Sequence, residues 1–143
     1  MMKPFHAILC LLIASSAIAQ EVQEPGAGTP ARKAILDGLR EDAVLHRLGS
    51  EWKAKIVFSH VAIRKVNDWA WVVASPQTGD GKQMIEPLTC VMNSKSSHWR
   101  VVEFISDEVA PADHPEEAYQ KWCAGFLGRH RDCPPKIFPA TFD

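Results

Sequence analysis

Three of the four cysteines, four of the six histidines and a set of tryptophans are the side chains of this sequence that could do chemistry. Cys123 and Cys133 stand ten residues apart, on either side of Gly125, Gly128 and the charged run Arg129-His130-Arg131-Asp132. In an oxidising compartment that pattern predicts a disulfide. A bridge closing so short a loop would stabilise by roughly 2.5 to 3 kcal/mol in the chain-entropy model and would tie the end of the chain to a preceding helix. The rival is a metal site completed by His114 or His130. The spacing argues against it, because paired zinc ligands sit two to four residues apart in knuckles and ribbons. Cys90, in Leu88-Thr89-Cys90-Val91-Met92, reads as a small buried hydrophobe. A nucleophile would need an exposed, electropositive setting and a nearby base, which His60 or His98 would have to supply from other strands.

His60, between Ser59 and Val61, has no Asp or Glu at a diagnostic spacing, so it reads as a sheet residue with a satisfied ring. A cavity lined by His60, Asp68 or Glu103 would be needed for acid/base work. Trp69 and Trp71 fall on one face of a strand, and a neighbouring strand could set Trp99 beside them. Such a cluster either stacks on a ligand such as a sugar or builds the core, and a small domain needs large side chains for its interior. The candidate ligand or partner face is therefore His60, Trp69, Trp71, His98 and Trp99. No pattern asks for a cofactor or a metal, and Gly26-Ala27-Gly28 lacks the strand and basic residue of a phosphate loop.

The elements that must position these residues follow from periodicity. Thr29-Pro30 is a helix start, since threonine can accept from an unpaired N–H and proline at the first position lacks only a donor that had no partner. Ile35, Leu36, Leu39 and Ala43 share one arc while Val44, Leu45 and Leu48 fall opposite, which predicts a helix from Pro30 to Arg40 and a second short one ending at Leu48-Gly49. Lys55 to Val66 is apolar on both parities, the sign of a strand buried on both faces or shifted by a bulge. The two-residue turn Asn67-Asp68 leads into a strand from Trp69 to Ser75, hence an antiparallel hairpin. Strands over Ile85–Met92 and His98–Ser106 complete a meander. After Pro111, His114-Pro115 opens a helix whose Ala118, Tyr119, Trp122, Phe126 and Leu127 recur every three or four residues up to Gly128. Residues 134–143 hold three prolines and read as an extended segment pinned by Ile137, Phe138 and Phe142.

The first residues are an address. Lys3, the apolar run Ala7 to Ala14 and the small residues Ala17-Ile18-Ala19 have the anatomy of a secretory signal cleaved after Ala19, and the stretch turns polar at Gln20, too soon to span a bilayer. Gln20 to Thr29 is then a flexible leader, residues 30–106 a helix-plus-sheet domain, and residues 107–143 an extension packed on it. The 143 residues suit one domain, and a formal charge of −1 removes the electrostatic case for nucleic acid as a partner.

Four stretches, Arg32-Lys33-Ala34-Ile35-Leu36-Asp37-Gly38-Leu39-Arg40, Val57-Phe58, Asn67-Asp68-Trp69-Ala70-Trp71-Val72 and His98-Trp99-Arg100-Val101-Val102-Glu103-Phe104, together resemble a group of small exported bacterial proteins of uncharacterised function. The resemblance spans about residues 31 to 106 and implies a cystatin-like or NTF2-like fold, with a curved antiparallel sheet wrapped around a helix, and a periplasmic location. It carries no catalytic residue. The expected architecture is thus α+β: an N-terminal helix packed on a curved four-stranded antiparallel sheet, with a disulfide-tied C-terminal helix and extended tail. Two functions fit. The first is a non-enzymatic exported domain that binds a protein or small ligand in the cell envelope through the concave sheet face or the Pro-rich tail. The second is a small hydrolase or isomerase using a His/carboxylate pair in an NTF2-like cavity.

Overall fold

The computed structural model describes residues 21–106 and 115–140. Within them the chain is α+β, with one four-stranded antiparallel sheet and three α-helices. Helix α1 (Pro30–Arg40) starts where Thr29 accepts from the Arg32 amide at 3.3 Å, and α2 (Ala43–Trp52) starts where Asp42 accepts from the Val44 amide at 2.9 Å. Each cap satisfies a backbone donor that the helix itself leaves without a partner. Helix α2 runs past Gly49, the expected stop. Its left-handed cap is Lys53, and Gly49 instead lets the Ala54 carbonyl and Ile56 pack close.

The strands β1 (Val57–Val66), β2 (Trp69–Gln77), β3 (Leu88–Asn93) and β4 (Arg100–Ile105) pair in sequence order. The Asn67-Asp68 turn joins β1 to β2, and Asn67 takes the positive φ of 50° that so tight a connection demands. The mixed parity of β1 is explained by a register shift between Ser59 and Ala62, which brings Phe58 before it and Ile63 after it into the same core despite their opposite parity, while Val66 serves the other face. A second shift, between Val91 and Met92, sets Val91 opposite Glu103 and Met92 opposite Val101, so that Val102 is the extra residue on β4.

Each face of the sheet carries its own core. On one, Ala70, Val72, Ala74, Cys90 and Met92 meet Ile35 and Leu39 of α1 and Leu45 of α2. On the other, Trp69, Trp71 and Val91 meet Tyr119 and Phe126 of α3 (Pro115–Arg129) and Ile137 of a short 3-10 turn over Pro135–Ile137. Alternate residues of β2 therefore feed two separate interiors, as a period of two requires. Helix α3 has Glu116 and Glu117 in its first turn and Arg129 in its last, the charge order its dipole favours.

The expected disulfide does not form. Cys90, Cys123 and Cys133 are free thiols. Helix α3 continues six residues beyond Cys123, a rise of about 9 Å, before the chain turns. At the turn the Cys133 amide donates to the His130 carbonyl at 3.0 Å, and its Sγ lies 3.9 Å from the Pro134 carbonyl. Cys123 instead meets the Tyr119 hydroxyl. The tail is fastened without sulfur: Arg64 donates to the carbonyls of Ile137 and Lys136 at 3.0 Å each, and the Tyr119 hydroxyl donates to that of Pro139 at 2.8 Å.

The two outer strands end differently. Gln23 exchanges backbone bonds of 2.8 and 2.7 Å with Lys65 on the open side of β1, so the leader expected to be flexible is pinned there. The open side of β4 meets no backbone partner among the described residues. The expected signal segment, residues 1–19, and His114 lie outside the described residues.

Candidate functional site

The five residues expected to share a face do not share one. His60 sits at the β1 irregularity with φ 49°, exposed, its Nδ1 3.2 Å from the Ser59 hydroxyl. His98 precedes β4, three strand steps away, so the two rings are separated by about 14 Å across the sheet alone. They cannot act on one atom together.

Trp69 and Trp71 do share a face, and it is closed. Trp69 meets Phe126 edge-on at 5.9 Å and His130 at 5.7 Å, while Trp71 meets Phe138 at 5.6 Å and Tyr119 at 6.0 Å. Both indoles are almost wholly buried beneath α3 and the tail. They are core residues of the second interior. Trp99 packs against the first interior, on the opposite side of the sheet.

A groove lies between the C-terminal half of α1 and the start of β4. One stretch, about 390 Å³, is lined by Gly38, Glu41, Asp42, Ala43, Trp99, Arg100 and Val101. An adjoining stretch of about 230 Å³ adds Ala34, Asp37, Ser97 and His98. Gly38 makes the approach possible. A β-carbon there would overlap the Trp99 carbonyl and lie 2.7 Å from the Trp99 Cβ. The groove thus holds two of the expected residues, His98 and Trp99, along with Gly38, Glu41 and Arg100, which sequence reasoning passed over. A glycine inside a helix costs about 1 kcal/mol relative to alanine, so Gly38 was itself a signal of close packing.

The acids of the groove differ in availability. Asp37 is bound by Lys33 and Arg40, and the Lys33 hydrogen bond, more than the nearby charges, holds its carboxyl below the usual carboxylate range. Asp42 is engaged as the α2 cap. Glu41 is exposed and has no partner among the described residues; Arg100, also exposed and without a partner among them, borders the groove through its place at the start of β4, while its register with Asn93 sets its side chain on the α3 side. His98 shares the groove with Asp37 and Glu41 but is hydrogen-bonded to neither. The arrangement can recognise a polar or charged group. It does not present a base oriented by an acid, which proton abstraction would require.

The buried thiol of Cys90 is no nucleophile. Desolvation, helped by the Asp42 charge, pushes it up to about 12, leaving it protonated at neutral pH. Among the described residues no cluster of three or more His, Cys, Asp or Glu side chains could hold a metal, and no described helix is long and apolar enough to cross a membrane.

No family model, no curated protein and no solved structure matches the chain.

Proposed function

We propose that the chain is an exported, non-enzymatic domain of the cell envelope, which binds a protein or small ligand in the groove between α1 and β4. The carrying observation is the groove itself: Glu41, exposed and unpaired among the described residues, stands beside the half-buried Trp99 on a floor held open by Gly38. A rigid apolar ring beside an unsatisfied charge is a recognition surface of the kind that orients a ligand by a few polar contacts. The routes through the sheet face and the Pro-rich tail lose their support, because both faces carry packed cores and Ile137 is fully buried. The signal anatomy of residues 1–19 supports export.

The test is site-specific photo-crosslinking in cells. A photoreactive residue in place of Glu41 should give a discrete adduct in the envelope fraction, and the same residue in place of Lys121, exposed on α3, should not. No adduct at position 41, or equal adducts at both positions, would remove the groove as the binding surface. N-terminal sequencing of the recovered protein should begin at Gln20.

A further inference from the structure

We propose that β4 is a dimerisation edge, pairing antiparallel with β4 of a second copy of this chain. The two outer strands of the sheet are treated differently. The side of β1 is met by Gln23 through two backbone bonds, whereas the outward N–H and C=O groups of β4 have no backbone partner among the described residues. It reads Arg100-Val101-Val102-Glu103-Phe104-Ile105, with no Lys or Pro; the protection it does carry, the charges Arg100 and Glu103 and the irregularity at Val102, is of a kind that a second copy can match.

The charges select a second copy as the occupant. Arg100 lies opposite Asn93, one residue from the inward Met92 of the first core, so it points to the α3 side. Glu103 is on that same side, where it accepts from Arg129 at 2.9 Å. Val102 packs there as well, while Val101, Trp99 and Phe104 pack on the opposite side. A two-fold axis at Val101 therefore sets Arg100 of each copy against the Val102–Glu103 irregularity of the other, with opposite charges on one side of the joined sheet. The same register sets Trp99 against Phe104 on the other side. Residues directly opposed in an antiparallel pair must share a face, and this register satisfies that rule through the extra residue on β4. Every complementary contact occurs twice, as an isologous interface requires. A single pair of six-residue strands is a small interface, so the association is weak and concentration-dependent.

Sedimentation velocity over about 10 to 500 μM tests this on the purified chain. Wild type should pass from monomer to dimer across the range. Arg100→Glu, at an exposed position with no partner to lose, should weaken dimerisation by about tenfold or more by placing like charges in opposition. Inverting the whole set, Arg100→Glu with Glu103→Arg and Arg129→Glu so that the Glu103–Arg129 pair is kept in reverse, should restore it to within about threefold, with unchanged circular dichroism throughout. A chain that stays monomeric to the top of the range, a dimer indifferent to Arg100→Glu, or an inversion that fails to restore pairing overturns the proposal. A monomer that still cross-links a foreign partner through position 41 would lose the dimer and keep the groove.

Discussion

Gly38 of α1 rests directly on the backbone of Trp99, so the helix and the start of β4 are in contact with no side chain between them. That contact sets the depth of the groove. Gly38→Ala would gain about 1 kcal/mol of helix propensity and lose about 1 to 3 kcal/mol to overpacking, because the obstacle is backbone and cannot rotate away. The expected result in urea unfolding is net destabilisation with an unchanged m-value. A stabilised variant would mean that α1 can lift off the strand freely.

The tail hangs on two hydrogen-bonding side chains from separate elements, Arg64 on β1 and Tyr119 on α3. Arg64→Met keeps most of the apolar stem and leaves two carbonyls without their donor, at a cost of about 1 to 3 kcal/mol. Tyr119→Phe removes one bond and should cost about 1 kcal/mol. Both should quicken carboxypeptidase trimming through Phe138. If the double variant is trimmed no faster than wild type, packing of Ile137 and Phe138 alone holds the tail.

Much of the sheet can be read from the residues because its signals are local. Asn67-Asp68 names its own turn, and the two-parity run before it requires either burial on both faces or a bulge; β1 has a bulge at Ser59–Ala62. What failed depended on distance through space. Trp99 was expected beside Trp69 and Trp71, yet its face is set by a register across the β3–β4 turn that no local pattern carries. Cys123 and Cys133 looked paired from their separation alone, but a helix continuing to Arg129 keeps the intervening chain straight. Gly49 looked like a helix end, and its actual role is to admit Ala54 and Ile56. The groove went unread because Glu41 and Trp99 lie far apart in sequence and gain meaning together only through Gly38.

Phe126 is the centre of the second core, fully buried, stacked on Trp122 at 5.2 Å and tilted against His130 at 4.5 Å. Phe126→Ala should cost about 3 to 5 kcal/mol by leaving a cavity beneath Trp69. The loss should also appear as a weaker near-ultraviolet circular dichroism signal, since the indoles of Trp69 and Trp122 lose the ring that fixes them. A cost below about 1 kcal/mol would mean that α3 is not docked on the sheet through this residue.

The thiols give the last prediction, and its sign can be worked through. Burial pushes Cys90 and Cys133 up to about 12 in the folded chain, with desolvation the leading cause for both. The unfolded chain releases these protons near the ordinary thiol value of 9.0, so above it the folded state binds more protons. Stability is therefore full below about pH 9 and falls as pH rises towards 12, by at most about 1.4 kcal/mol per pH unit for each thiol. Cys90→Ala should flatten part of that decline while lowering stability at neutral pH, since it removes a buried sulfur from the first core. In native protein at pH 8, the half-buried Cys123 should alkylate ahead of Cys90 and Cys133. In denaturant all three should label to the same extent with or without reductant. Two thiols that label only after reduction would restore the cross-link between Cys123 and Cys133 and discard the free-thiol arrangement of the tail.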